Sequence, residues 1–157
     1  MLADSYAKRD FVSLISFRDT SAEILLPPTR SLVQTKKRLG SLMAGGGTPL
    51  AIGLDTGIKL AQNCKRSGKM PSLAILTDGK ANIDLNGLPN REKALSDAVL
   101  VGAIGKKLDM KSVFIDCGKR PNNNLKEIAT SMGANYVSLP RTNATKISNL
   151  VQTNLGI

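Results

Sequence analysis

Three oxygen-bearing side chains stand at positions in the sequence where a ligand could bind. Asp78 directly follows a mostly apolar run at 73–77, Asp116 closes a second run at 112–116, and Thr48 ends a glycine-rich segment. In an α/β sheet, ligands bind beyond the carboxyl ends of the strands. Carboxylate and hydroxyl oxygens, without nitrogen or sulfur donors, are the ligands that Mg²⁺ and Mn²⁺ prefer. The three side chains are therefore candidates for a divalent-cation site.

Each candidate also has a purely structural interpretation. Thr48 could do no more than cap the helix that follows it, because threonine readily accepts a hydrogen bond from the first helical N–H groups. Asp78 could open an Asx turn, and Asp116, which precedes Cys117-Gly118, is more typical of a turn residue than of a ligand. The GxxxxGK[ST] spacing of a phosphate-binding loop does not occur, so no nucleotide site is predicted.

The composition excludes several other kinds of site. The chain has 157 residues, no histidine and two widely separated cysteines. Imidazole-based catalysis, histidine-ligated zinc and a disulfide framework are therefore not expected. No apolar run approaches the ~20 residues of a membrane span, and the first residues do not form a signal peptide. The sequence predicts a cytoplasmic protein without a membrane span.

The net charge of +10 predicts an acidic partner. The basic residues are scattered in small groups and only 3% of the residues are aromatic, so a base-stacking platform for nucleic acid is not expected. Docking of a protein is the favoured interpretation. A nucleic-acid binder would instead show a steep salt dependence on any duplex.

The hydrophobic pattern predicts an α/β fold. Apolar segments at 11–17 and 23–26, joined by a polar connection of hairpin length, predict an antiparallel pair that Pro27-Pro28 should end. Apolar strands and helices then alternate, as in a doubly wound, mostly parallel sheet with one antiparallel edge strand. The other predicted strands are 72–77, 112–116 and 135–139, and the predicted helices are 31–42, 49–64, 91–108, 125–132 and 143–153.

The first two predicted helices begin with recognisable capping residues. Ser31, followed three residues later by Gln34, has the spacing of a capping box. Thr48 suits the N-cap of the next helix and Pro49 suits its first turn. The expected apolar faces are Leu32, Leu39 and Leu42 in the first helix and Leu50, Leu54, Ile58 and Ala61 in the second.

Several strings of the sequence resemble one known family. They are Arg9-Asp10, residues 12–18, Leu-Leu-Pro-Pro-Thr-Arg-Ser at 25–31, Gly-Gly-Gly-Thr-Pro-Leu-Ala at 45–51 and Leu-Thr-Asp-Gly-Lys-Ala-Asn at 76–82. They resemble the carboxyl-terminal von Willebrand factor A-type (integrin I-like) domain of the magnesium-chelatase D-subunit family. The resemblance covers nearly the whole chain, and the string at 25–31 is far more specific than the generic domain signature. It implies one such domain over residues 1–157, with a Rossmann-like sheet.

The resemblance also implies a metal-ion-dependent adhesion site. In the family this site combines an Asp-x-Ser-x-Ser motif, a threonine and an aspartate, of which the last two match Thr48 and Asp78. The supporting loops would contain Gly45, Gly46, Gly47 and Gly79. The family's Asp-x-Ser-x-Ser motif ends the first strand, upstream of a helix whose tail resembles residues 2–8. This chain is therefore expected to begin after that strand, with an incomplete site that binds Mg²⁺ weakly or not at all.

The function implied by the resemblance is a supporting one. The family's complex uses ATP to insert Mg²⁺ into protoporphyrin IX during chlorophyll or bacteriochlorophyll synthesis, and the D-type subunit is not the catalytic one. The implied partners are the AAA+ motor subunit, the large porphyrin-binding subunit and an acidic linker. ATP is expected to be used by the complex and not bound here. The implied location is the cytoplasm, or the plastid stroma in a plant or alga.

Two alternatives to this function stay open. One is a metal-dependent adaptor domain of another AAA+-linked complex, such as a cobalt chelatase. The other is a magnesium-dependent phosphotransfer domain that uses Asp78 as the nucleophile, with Lys80 as the neighbouring cation.

The missing first strand has a structural consequence. In the family it lies between the strands that match 11–17 and 72–77. These two strands could pair directly with each other, or their open edges could recruit another chain. Marginal stability with self-association is the expected outcome.

Overall fold

The computed structural model of the protein describes residues 10–42, 45–140 and 144–156. The predictions made for residues 2–8 and for Asn143 lie outside these ranges. The strands are β1 (Val12–Arg18), β2 (Ser21–Thr29), β3 (Leu73–Thr77), β4 (Ser112–Asp116) and β5 (Asn135–Ser138). The helices are α1 (Leu32–Gly40), α2 (Leu50–Arg66), α3 (Arg91–Lys106), α4 (Asn123–Met132) and α5 (Ala144–Leu155).

The described strands form two sheets. β1 and β2 are antiparallel, whereas β3, β4 and β5 form a parallel sheet with β4 at its centre. The predicted α/β class, with parallel strands and an antiparallel strand at one side, is confirmed. Among the described strands, β1 and β3 are not hydrogen-bonded to each other. Direct pairing of these two strands, one of the two expected outcomes, is therefore not formed.

The prediction that Pro27-Pro28 ends the antiparallel pairing is wrong. β2 continues through both prolines to Thr29, which lies opposite Val12. Proline lacks the N–H donor, but its carbonyl still accepts a hydrogen bond, and an edge strand tolerates the missing donor because that side of the ladder is unpaired. The register shifts between Val12 and Leu14, as expected where a ladder accommodates such an irregularity.

The central strand of the parallel sheet separates two apolar layers. The Phe114 side chain is fully buried in the layer that contains α2, α3 and α4. Val113 and Ile115 face the other way and pack with Val151 and Leu155 of α5. Helices therefore cover both faces of the sheet, which is why residues 113–115 of the central strand are apolar on both sides.

α2 packs against both sheets. A methyl group at Gly53 would lie 2.7 Å from the Phe17 ring, so β1 packs directly on the helix backbone. Gly57 lies between Ile15 of β1 and Leu73 of β3, whose side-chain carbons are 3.8 Å and 3.5 Å from the Cβ position. The predicted core face of α2 is confirmed, with Leu50, Leu54, Ile58 and Ala61 all buried. One helix therefore packs against both β1 and β3, which belong to different sheets.

The apolar face predicted for the first helix is wrong in part. Leu39 is 38% exposed, and Leu42, which lies beyond the end of α1, is 45% exposed. Thr35 takes the buried position instead, and its hydroxyl donates a hydrogen bond to the Ser31 carbonyl. The predicted capping residue is confirmed, because the Ser31 hydroxyl accepts a hydrogen bond from Gln34 N at 3.3 Å. A single short helix against β2 has too small an interface to bury its whole apolar stripe.

Candidate functional site

Thr48 and Asp78 lie on neighbouring loops at the carboxyl end of the parallel sheet. Thr48 precedes α2, and Asp78 directly follows β3. The backbone N–H of Thr48 donates to the Asn82 side-chain oxygen at 2.7 Å, and the Asn82 N–H donates back to the Thr48 carbonyl at 3.3 Å. This pair of hydrogen bonds joins the loop before α2 to the segment that follows Asp78.

The two loops also approach each other closely at Gly79. A Cβ atom at Gly79 would lie 2.8 Å from the Thr48 Oγ1 atom, so a larger residue would push the loops apart. The Gly79 N–H donates to the Thr77 hydroxyl at 3.3 Å, which holds the turn at the end of β3. The Thr48 hydroxyl therefore faces the residue next to Asp78.

The Thr48 hydroxyl does not cap α2. The helix begins at Leu50, its N-cap residue is Pro49, and no side chain accepts a capping hydrogen bond there. Within the described part of the chain, neither the Thr48 hydroxyl nor the Asp78 carboxylate has a hydrogen-bond or ion-pair partner. Asp78 is exposed and Thr48 is half-buried. The Thr48 hydroxyl and the Asp78 carboxylate, at the carboxyl end of the sheet, are thus free to bind a ligand.

The Asp116 carboxylate, in contrast, is not free to bind a ligand. Its carboxylate is buried and accepts hydrogen bonds from Gly118 N at 2.9 Å, Asn122 N at 3.0 Å and the Tyr136 hydroxyl at 2.5 Å. These bonds organise the loop between β4 and α4, in agreement with the turn interpretation of the sequence. Asp116 is therefore a structural residue and Asp78 the candidate ligand.

Replacing Tyr136 with phenylalanine is expected to lower the free energy of unfolding by about 1–3 kcal/mol, because the buried Asp116 carboxylate loses a donor. Burial and the bond to Asp116 raise the pKa of Tyr136 above its ordinary value of 10.0. The contribution of the Tyr136 hydroxyl to folding stability is therefore fully present below pH 10 and is lost as the pH rises through the higher pKa of Tyr136 in the folded state. Urea denaturation as a function of pH measures both effects, and equal stability of the two proteins at neutral pH would contradict this assignment.

The predicted supporting glycines hold the turn between β1 and β2 against the loop before α2. The Asp19 N–H donates to the Gly47 carbonyl at 3.0 Å. A Cβ atom at Gly47 would lie 2.5 Å from the Asp19 carbonyl oxygen, and one at Gly46 would overlap the Asp19 carboxylate. Gly45 and Gly46 have φ angles of 115° and 87°, which favour glycine. The glycines therefore fix the position of Thr48.

Three comparisons relate the chain and its fold to known proteins. No protein-family model matches the chain. The chain is 44% identical over 156 residues to the magnesium-chelatase 60 kDa subunit of Cereibacter sphaeroides, a match that covers 99% of this chain and 28% of the relative. It is 35% identical over 162 residues to the 67 kDa subunit of Chlorobaculum tepidum, covering 94% of this chain and 25% of the relative. Its fold matches the VWA domain of SpRpn10 with a TM-score of 0.69 at 15% identity, covering 98% of this chain and 78% of the other.

The chain is a von Willebrand factor A-type segment of the magnesium-chelatase D-subunit family. The family resemblance noted in the sequence is thus confirmed. The chain spans about a quarter of the length of these magnesium-chelatase subunits, which belong to an enzyme complex. In residues 10–42, 45–140 and 144–156 of this VWA domain, no helix is long and apolar enough to cross a membrane.

The free side-chain oxygens of Thr48 and Asp78 fit part of a Mg²⁺ coordination shell. One carboxylate and one hydroxyl are hard oxygen ligands, and Mg²⁺ usually keeps several of its waters when a protein binds it through one or two carboxylates. No group of three or more histidine, cysteine or acidic residues is arranged to hold a metal in the described ranges. Thr48 and Asp78 would therefore hold the ion weakly unless further ligands join them.

Asp84 is a structurally important residue that the sequence interpretation missed. Its buried carboxylate accepts hydrogen bonds from Asn86 N at 2.8 Å and Leu88 N at 3.0 Å, and it pairs with Lys93 at 3.0 Å. The Leu88 and Lys93 bonds hold the pKa of Asp84 below its ordinary value. The Asp-x-Asn-Gly spacing at 84–87 is a turn signal that could have identified it. All of its contacts are structural, which leaves Asp78 as the candidate ligand.

Proposed function

We propose that this VWA domain is a protein-interaction module of magnesium chelatase, within its D-type subunit, with no chemistry of its own. It would support the ATP-dependent insertion of Mg²⁺ into protoporphyrin IX by joining the AAA+ motor subunit to the large porphyrin-binding subunit in the cytoplasm. Family membership supports the assignment to the complex. The observation that supports the interaction role is the pair of free side-chain oxygens of Thr48 and Asp78 at the carboxyl end of the parallel sheet.

The two donors suggest how the contact with a partner is made. Thr48 and Asp78 would hold a divalent cation, and the cation would offer a remaining coordination position to a carboxylate of the partner. The Asn82 hydrogen bonds and the close contact at Gly79 keep the two loops together, so the donors need little reorganisation. The nearby acidic residues Asp84 and Asp116 are already committed to loop contacts and would not compete.

Replacing Asp78 with alanine in the full-length D-type subunit is expected to weaken Mg²⁺-dependent binding to the porphyrin-binding subunit by about tenfold or more, since a metal ligand is lost. Asp55→Ala is the matched control, because Asp55 forms only a surface ion pair with Lys59. Surface plasmon resonance with Mg²⁺ and with EDTA measures both variants. Equal binding by Asp78→Ala and Asp55→Ala, with the same loss in EDTA, would exclude the proposed role of Asp78.

A further inference from the structure

A dense group of basic residues lies at the end of the parallel sheet opposite Thr48 and Asp78. Here α2 and α3 end and β3 and β4 begin, because each helix runs antiparallel to the strands it connects. We call this surface the basic face. It consists of Lys65, Arg66, Lys69, Lys106, Lys107 and Lys111, all of them exposed.

Hydrogen bonds tie the parts of the basic face together. The Lys65 ammonium group donates to the Leu108 carbonyl, which joins the end of α2 to the turn after α3. The Leu73 N–H donates to the Lys111 carbonyl at 3.0 Å, which joins the first residue of β3 to the residue before β4. The six cations are therefore presented by a connected framework.

The charge of the basic face is not neutralised by the domain itself. The ion pairs found among the described residues are Arg18 with Asp19, Lys59 with Asp55 and Lys93 with Asp84, and none of them involves the face. In segments 65–69 and 106–111, which form the face, Asp109 is the sole acidic residue. Helix dipoles favour cations in the last turn of a helix, but Lys69 and Lys111 lie outside the helices.

A shallow cleft of about 350 Å³ opens within the basic face, lined by Gln62, Lys65, Arg66 and Leu108. The Lys65 ammonium group uses one of its three donors on Leu108, so two remain for a ligand in the cleft. A recess between two helix ends suits an inserted acidic side chain, whereas the flat surface of a bilayer would not fill it. The shape of the face therefore favours a polypeptide.

Two cations, one of them Lys69 of the basic face, contact the partly exposed Phe11 ring. The Arg30 guanidinium carbon lies 4.4 Å and the Lys69 ammonium nitrogen 5.1 Å from the centre of the Phe11 ring. A single partly exposed ring that two cations already contact is less than the series of aromatic side chains on which successive nucleic-acid bases stack.

We propose that the basic face binds an acidic polypeptide segment, with one carboxylate side chain seated in the cleft between the ends of α2 and α3. The contact is electrostatic and made by exposed groups, so it weakens as salt is raised. It lies at the opposite end of the sheet from the candidate cation site, and the two sites can be occupied together.

The proposal is tested with a fluorescein-labelled poly-glutamate peptide and fluorescence anisotropy at low and high salt. The variant Arg66→Gln/Lys69→Gln/Lys107→Gln removes three cations of the basic face. The matched control, Lys36→Gln/Lys37→Gln/Arg38→Gln, removes the same charge from α1, which packs on β2. The first variant is expected to bind the peptide about tenfold more weakly or worse, and the control within about threefold of the unmodified protein.

Equal weakening by both triple variants would overturn the proposal, since net charge alone would then explain binding. Tighter binding of a DNA duplex or of phosphatidylserine vesicles than of the peptide, at the same salt, would overturn it in favour of another class of partner. The first variant could melt at a lower temperature because it removes Lys69 from the Phe11 ring. In that case Arg66→Gln/Lys107→Gln is compared with Lys36→Gln/Lys37→Gln, two variants that leave the Lys69 contact in place. The experiment does not depend on Mg²⁺, so its outcome is independent of the Asp78 test.

Discussion

Supplying one more parallel strand to the VWA domain is expected to raise its melting temperature by about 20 °C or more. β1 and β3 both pack against α2, and among the described strands neither pairs with the other. A strand that paired with both would bury about five apolar side chains, each worth ~1.5–3 kcal/mol, and would supply hydrogen-bond partners to the edges that these two strands leave unpaired within the described ranges. The gain, on the order of 10 kcal/mol, is comparable with the ~5–15 kcal/mol stability of a whole domain.

The comparison requires two amino-terminal extensions of equal length. One carries an apolar, strand-forming segment, and the other carries the same segment with its apolar residues replaced by serine. Calorimetry should show a large increase in melting temperature for the apolar extension and none for the serine extension. Sedimentation should show that the 157-residue chain self-associates more than the chain with the apolar extension. A 157-residue chain that is monomeric and melts cooperatively near ~60 °C would contradict this expectation.

Phe114→Ala is expected to lower the free energy of unfolding by about 3–5 kcal/mol. The ring is fully buried at the centre of β4, where it contacts the layer formed by α2, α3 and α4. Its removal leaves a cavity that close-packed neighbours fill only in part. Leu100→Ala is the control, because Leu100 is 65% exposed on α3 and should change stability by no more than about 0.5 kcal/mol.

Urea denaturation followed by circular dichroism gives both free energies. The slope of the transition should stay the same in the two variants if the fold is retained. A Phe114→Ala protein as stable as Leu100→Ala would mean that β4 is not the central strand of the core.

Much of the parallel half of the fold could be predicted from local patterns. The centre of β4, residues 113–115, is apolar on both sides because helices cover both faces, and such runs identify buried parallel strands. α2 was predicted within two residues at each end, since Pro49 and Gly68 mark where a helix can begin and end.

The errors arise where tertiary contacts overrule local preference. Pro27-Pro28 should end a strand, but β2 lies at a sheet edge where the missing donors cost little. Leu39 should be buried, but α1 packs mainly on β2 through a small interface, which Thr35 occupies. The separation of β1 from β3 is a property of the assembled fold that no local pattern contains.

The candidate site was predictable in outline. Parallel strands with helical crossovers bring the residue after β3 and the loop before α2 to one edge, so Thr48 and Asp78 could be placed near each other from topology. The contact at Gly79 and the Asn82 hydrogen bonds depend on loop conformation, and the sequence alone did not identify them. The Cys117-Gly118 context already favoured a turn role for Asp116 over a ligand role, and the structure shows the partner that the sequence could not identify, the Tyr136 hydroxyl.

The most direct test of the candidate cation site is a Mn²⁺ titration of the ¹⁵N-labelled protein followed by NMR, which detects weak binding through paramagnetic broadening. The site predicts that the amide signals of Thr48 and Gly79 broaden first and that Asp78→Ala abolishes this effect. Broadening that begins around Asp84 or Asp55, or that persists unchanged at Thr48 in the Asp78→Ala protein, would contradict the assignment of Thr48 and Asp78 as the metal ligands of this VWA domain.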